Sequence, residues 1–419
     1  PPASRHMGST ASLEGVAASL EAADAAAAAR LGGGGATGDA GAPAPGPLKA
    51  RRISLTPEDR ERLAPLRALD KRIIEVVRKG HIHMLDADYL RSGKITKMLR
   101  RQDMPKEAFL APEVAAAHIE EGLRKAGGLT YGWQCCVDPD PTGAVIKAVI
   151  RFLKSPEGQH ITCLFWDFSS LWQNPRSEEQ DTEFGLALDV MAYLYASPVG
   201  TTVLRFKKMP PVPPEMAKTL AVFKVDAGAE ADLRAVLERA GVAGAALEYV
   251  GAKKVWQVVL ASAEAAEAAL GKLGSLEELG LPAGAFACTW FNAAAYDGRG
   301  WCSLESGVST EAIARARFYP QLKKAMDELP AKMWEIDGEA PVEVVEQDDA
   351  QGHGPRVAAV RAQIEAAKFT GKGDRATVLG LFNGFVTHIG NAINATGEGV
   401  TGTYEGEYNA AGEREGRGV

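Results

Sequence analysis

No run of about 18 apolar residues occurs anywhere in the chain, so no transmembrane helix is expected. Cysteine is scarce: there are five in 419 residues, and Cys135 and Cys136 are adjacent. None of the paired spacings that frame a disulfide scaffold or a structural zinc site is present. A reducing, cytoplasmic setting is therefore expected, with no bound metal. Basic residues are in deficit, 47 Lys and Arg against 54 Asp and Glu, for a net charge of −7. That balance counts against a general nucleic-acid binder, whose footprint is a basic excess. Aromatics are sparse at 7%, but 46% hydrophobic and 24% charged residues are ordinary globular values. They exclude a wholly disordered or collagen-like chain. The length fits about two to three domains and can bury a full core without staples.

What is present divides the chain. Residues 1–53 read as a disordered tail, since the first 50 hold 25 Ala and Gly. Glu14, Glu21, Asp24 and Asp39 make it too acidic for a transit peptide. The chain starts at Pro1, not Met, and a fragment or processed product is expected. Residues 54–127 read as a basic helical region. Thr56 is placed to cap a helix with Pro57 in its first turn, and Leu66, Leu69, Ile73 and Val77 recur at helical spacing. Residues 51–127 carry 17 Lys and Arg against 12 Asp and Glu. The reading is of solvated helix faces docked on an acidic body. His81 and His83 have no further ligand beside them in sequence.

From residue 129 the period changes. A short strand over 129–133 is followed by a helix over 144–154, with Val145, Val149 and Phe152 on one face. Residues 161–168 form a nearly continuous apolar run ending in Asp167 and Phe168, as expected of a strand buried on both faces. Ser177 and Gln180 have capping-box spacing before a helix, and 201–206 is the next strand. That alternation predicts a parallel α/β sheet over 128–215 and 291–340. Pro210, Pro211, Pro213 and Pro214 punctuate it. Residues 216–290 then read βαββαβ, a ferredoxin-like (RRM-like) insertion. One central strand keeps an aromatic, Trp256, but Ala221 stands where the other needs one, so RNA binding is not expected. Helices are expected over 341–400.

Open parallel sheets bind ligands beyond the carboxyl ends of their strands. That rule points to Trp133, to Asp167 and Ser169, and to the helix entered at Arg299 and Trp301, which carries Glu305. Helix N-termini attract anions, and Arg299 adds a fixed charge there.

Four blocks of the chain resemble, in order, those of heterokaryon-incompatibility (HET) domains. Tyr131-Gly132-Trp133 is similar to their S-Y-x-W opening. Trp166-Asp167 with Gln173 resembles W-D-x-x-C-I-x-Q. Met191, Leu194, Tyr195 and Ala196 resemble the M-x-x-I-Y helix, and Arg299-Gly-Trp301-Cys-Ser-Leu-Glu305 resembles R-x-W-x-x-x-E. The last block also resembles the W-C-x-x-E helix of Toll/interleukin-receptor-like (TIR-like) domains. The resemblance implies a TIR/flavodoxin-like sheet flanked by helices, here interrupted by the insertion and extended by helices at both ends. Some such domains cleave NAD with the Glu of that helix. The resemblance therefore implies Glu305 as catalytic residue, with Trp133, Asp167, Ser169, Arg299 and Trp301 binding the nucleotide. NAD would be substrate, and no resident cofactor is implied. Other members are assembly modules, so self-association or protein partners are the alternative. At the C-terminus, Tyr404-Glu-Gly406 through Gly412 to Gly418 resembles a single MORN repeat. Arrays of such repeats serve as scaffolds or lie against membrane surfaces, and further copies are expected in a parent chain.

Overall fold

A computed structural model describes residues 55–273, 276–345, 352–369 and 373–394, together with residues 407, 408, 414 and 415. The expected tail over 1–53 and most of the repeat over 401–419 lie outside the described residues. The strands are Leu85–Asp86 (β1), Ala126–Tyr131 (β2), Cys163–Phe165 (β3), Thr201–Phe206 (β4), Thr219–Phe223 (β5), Ala246–Val250 (β6), Val255–Val259 (β7), Phe286–Thr289 (β8), Met333–Glu335 (β9), Val342–Glu343 (β10), Glu407–Tyr408 (β11) and Arg414–Glu415 (β12). The helices that matter below are Lys71–Arg78 (α1), Ala144–Lys154 (α2), Asp167–Ser170 (α3), Glu178–Ala196 (α4), Glu230–Arg239 (α5), Ala263–Lys272 (α6), Gly300–Arg317 (α7), His353–Ala366 (α8) and Asp374–Asn394 (α9).

The main sheet has the order β1-β3-β2-β4-β9-β10. Its four central strands are parallel, and β1 and β10 run antiparallel at the two edges. Both faces are covered, as a parallel sheet requires. Leu129, Leu164 and Leu204 pack with Val145, Val149 and Phe152 of α2 on one face. Phe165 and Val203 pack with Met191 and Tyr195 of α4, Leu304 and Val308 of α7, and Phe382 and Ile389 of α9 on the other. The fold is thus mixed α/β, a largely parallel helix-flanked sheet joined by a second, antiparallel one.

Local signals explain several elements. The Thr56 side chain accepts from Asp59 N, and the Ser177–Gln180 box closes in both directions at the start of α4. The apolar run over 161–168 is strand only to Phe165. Ser170 Oγ accepts from Trp166 N at 3.0 Å, and residues from Asp167 turn helical. Residues 55–127 are not an appendage, because β1 joins the sheet and Arg91 donates to the carbonyls of Leu153, Gly158 and Ile161.

The second sheet draws all its strands from residues 219–289, in the order β6-β7-β5-β8, every pair antiparallel. α5 and α6 cover one face, burying Leu220, Val222, Leu233, Val236, Trp256 and Val258. Trp256 therefore points into the helix-covered side and not onto an open face. From the other face Ala221, Val255 and Phe223 meet Cys135, Cys136 and Val137, which follow β2. β11 and β12 form an antiparallel pair.

Candidate functional site

The chain leaves β2 for β3 on one side, then crosses from β3 to β4 on the other. β2 and β4 are therefore the neighbours at which the winding reverses, where a crevice opens beyond the strand ends. Tyr131 and Phe206 are paired across that point.

Asp167 stands two residues past the end of β3 and is half-buried. Its carboxylate accepts from Trp133 Nε1 at 2.8 Å, Tyr131 hydroxyl at 3.1 Å and Phe168 N at 2.7 Å. Burial raises its pKa, while the bonds from Trp133, Phe168 and Tyr131 pull it down. The Tyr-Gly-Trp segment thus aims two aromatic donors at one carboxylate. Its glycine has a separate reason. A Cβ on Gly132 would lie 2.7 Å from Arg299 Nε, so only glycine lets that guanidinium lie against the strand end.

Glu305 lies in the second turn of α7 and is 6% exposed. Its carboxyl shares a hydrogen bond with Thr130 of β2, whose hydroxyl also contacts the Tyr296 hydroxyl at 2.6 Å. No ion pair of Glu305 exists among the described residues. Burial holds its pKa well above the usual carboxylate range, the Thr130 bond lowers it, and the charge of Asp167 raises it again. Cys302, one turn earlier, donates to Tyr131 O at 3.3 Å. Burial lifts its thiol well above the usual value, so proximity to Arg299 does not make it a thiolate.

Arg299 is the N-cap of α7 and is nearly buried. Nε donates to Ala294 O at 3.0 Å, Nη1 to Trp133 O at 2.7 Å, and Nη2 to Asn292 O and Ala294 O at 2.8 and 2.9 Å. The guanidinium ties the exit of the insertion to the end of β2. Trp301 faces away: it packs in the core shared with the C-terminal helices, its Nε1 3.4 Å from Asp374 Oδ2. Ser169 is buried behind Asp167 and donates to Leu99 O at 2.6 Å.

Trp133 and Asp167 are therefore brought together, Glu305 lies across the end of β2 from them beside Thr130, Arg299 fastens the strand end, and Ser169 and Trp301 point elsewhere. Tyr131, Thr130 and Tyr296 also belong to the site. Tyr131 sits inside a motif the sequence displays, but nothing local marks the other two. Lys253 was equally silent. It reaches over from the insertion, its ammonium 5.7 Å from the ring centres of both Trp133 and Phe168.

Among the described residues, no group of three or more His, Cys, Asp and Glu could hold a metal, and no helix is long and apolar enough to cross a membrane. Comparison with protein-family models, with curated proteins and with solved structures returned no match.

Proposed function

We propose that the chain carries a TIR/HET-like signalling domain, flavodoxin-like in its parallel sheet and ferredoxin-like in its insertion, that hydrolyses the nicotinamide–ribose bond of NAD. One observation carries the reading. Asp167 and Glu305, far apart in sequence, flank the end of the first parallel strand from its two faces, Asp167 against Tyr131 and Trp133 and Glu305 buried beside Thr130, and the charge of Asp167 raises the pKa of Glu305. Holding two carboxyl groups at one strand end is costly for a fold, and at Asp167 the charge of Lys253 offsets part of that cost. Such pairs recur where chemistry needs one acid ionised and one neutral. Asp167, held by three donors, is the fixed member. Glu305, neutral while dry, would ionise as a polar substrate brings solvent with it. Departure of nicotinamide takes the bonding pair onto its ring nitrogen and leaves an oxocarbenium-like ribose. A carboxylate beside that centre stabilises its charge and accepts the proton of the attacking water.

The test is nicotinamide release from NAD by purified protein, followed by chromatography. Wild type should turn over, and Glu305→Gln should lose about 100-fold or more of the rate. Above the ordinary carboxylate range the variant should melt at an equal or higher temperature, because the raised pKa of Glu305 makes its ionisation destabilising to the native state. A second reading is a non-catalytic interaction module of the same fold, with its MORN-like repeat as a scaffold contact. It is favoured by Arg299, whose donors are engaged by backbone carbonyls. An absence of turnover in wild type would leave that reading.

A further inference from the structure

Lys253 ends the short turn Gly251–Lys253 that links β6 to β7 in the insertion. The next residue, Lys254, donates its N–H to Gly251 O at 3.2 Å and has a φ of 50°. That left-handed backbone costs a lysine and would be free for glycine, so the turn is held in shape against its local preference. Its shape carries Lys253 across the seam. Lys253 is half-buried, and its ammonium lies 5.7 Å from the ring centre of Trp133 and 5.7 Å from that of Phe168. Both distances are within the range of a cation–π contact. Among the described residues it makes no ion pair and no hydrogen bond. The two rings belong to the body, not to the insertion. They meet edge to face with centres 5.5 Å apart, and Phe168 belongs to the core on the α2 side of the main sheet. Both residues also hold Asp167: Nε1 of Trp133 donates to its carboxylate at 2.8 Å and the backbone N of Phe168 at 2.7 Å.

One cation from the insertion therefore rests on the aromatic pair that presents hydrogen bonds to a carboxylate of the body. A cation over an indole face draws electron density from the ring and makes its N–H a stronger donor. We infer that Lys253 is a positioning residue: seated on Trp133 and Phe168, it fixes the donors of Asp167, so that the site is complete only while the insertion is docked. The seating of Asp167 stands by itself; its part in turnover rests on the hydrolase reading above. The charges agree with the contacts. Burial raises the pKa of Asp167, the bonds from Trp133, Phe168 and Tyr131 lower it, and the charge of Lys253 lowers it further. The other titratable and charged groups facing this set are Glu305 of α7 and Asp140, whose charge acts on Tyr131. Around Lys253 they are Cys136 and Cys135 after β2, with Arg100 and Arg176 of the body. All of these remain when Lys253 is replaced, so a replacement isolates its own charge. Losing that charge moves the Asp167 midpoint up and leaves the Trp133 ring without the contact that orients it.

The experiment follows Trp133 fluorescence in the full chain between about pH 3 and about pH 8, taken as the difference from Trp133→Phe. Wild type should show a transition as Asp167 gains its proton, and Asp167→Asn should lack it. Lys253→Met keeps the stem and removes the charge, and it should raise the midpoint by about half a unit or more. Lys253→Arg, whose guanidinium also stacks on aromatic faces, should keep the wild-type midpoint. Circular dichroism at each pH shows whether the variants are folded, and Lys253→Gln supplies the same loss should Lys253→Met misfold. The same proteins are then assayed for nicotinamide release from NAD. Lys253→Met should lower kcat about tenfold with little change in KM, and the acid limb of its pH profile should move up with the fluorescence midpoint. Lys253→Arg should restore both. Equal midpoints in folded wild type, Lys253→Met and Lys253→Gln overturn the positioning role, as does a wild type without a Trp133 transition that Asp167→Asn abolishes. Failure of both neutral variants to fold overturns it too, because Lys253 would then be a determinant of the fold. A raised midpoint without NAD turnover in wild type leaves the role standing and removes the hydrolase. NAD turnover with wild-type midpoint, kcat and pH profile in Lys253→Met does the reverse.

Discussion

Buried carboxyl groups do different work at the two ends of the main sheet. Asp70, just before α1, lies under the amino end of β4, opposite the candidate site. Its Oδ2 accepts from Ser197 Oγ at 2.9 Å, and its Oδ1 accepts nothing among the described residues. Burial pushes its pKa up to about 7, against the pull of the Ser197 bond and the charges of Lys332 and Arg67. The native state therefore holds this proton more tightly than the unfolded chain does. Its contribution to stability is full below about pH 4, the unfolded pKa, and is lost as pH rises through about 7. A shift of that size corresponds to a loss on the order of 4 kcal/mol. Urea denaturation at pH 4 and pH 8 checks it: Asp70→Asn should drop by several kcal/mol less than wild type between the two. Parallel slopes for both proteins would contradict the assignment. No single-sequence signal announces Asp70, because its environment is made by Ser197 and Lys332, each more than 100 residues away. Arg299 was visible as a charge at a helix start. Its spending on the carbonyls of Trp133, Asn292 and Ala294 was not, since those partners arrive only through tertiary structure.

Elements were legible where local chemistry decides them. The β4 segment alternates nothing and buries nearly everything, which is what an interior parallel strand does, and the expected bounds of 201–206 match it. The capping residues Thr56 and Ser177 perform the bonds their spacing implies, and Ser262 caps α6 in the same way. β1, β9 and β10 are two or three residues long, and such segments carry no period to read; pairing with distant strands creates them. The start of α7 is also decided from outside. A Cβ at Gly300 would lie 1.8 Å from the Phe369 ring, so the chain between α8 and α9 is pressed onto the first turn of α7. Gly300→Ala should therefore destabilise, by about 1–3 kcal/mol through overpacking, although alanine is the better helix former. Thermal melts give the sign directly. A stabilised variant would mean that Phe369 swings aside freely.

At the scale of the whole molecule, the insertion meets the body by a thin seam and keeps a core of its own. Leu233, Val236 and Trp256 are buried among its own strands and helices, whereas Trp290 and Val255 are buried against Cys135 and its neighbours. The seam is stitched at the backbone by Asn292 N donating to Gln134 O at 2.7 Å and by the bridge between Cys135 and Phe291. Substitutions on the two sides of this division should then separate. Leu233→Ala removes packing inside the insertion, at a cost of about 2–5 kcal/mol. It should raise amide exchange throughout 219–289 while the strands β2, β3 and β4 keep their protection. Trp290→Ala should do the opposite. The seam would open, exchange would rise around 133–137 and 290–294, and β5 to β8 would stay protected, because their core is untouched. The seam also carries Arg299 to Trp133 O and Lys253 to the Trp133 ring, so Trp290→Ala should change the fluorescence of Trp133 as well. Equal loss of protection in both sheets from either substitution would show that the two sheets unfold as a single cooperative unit. The insertion could not then act as a part that moves relative to the strand ends it covers.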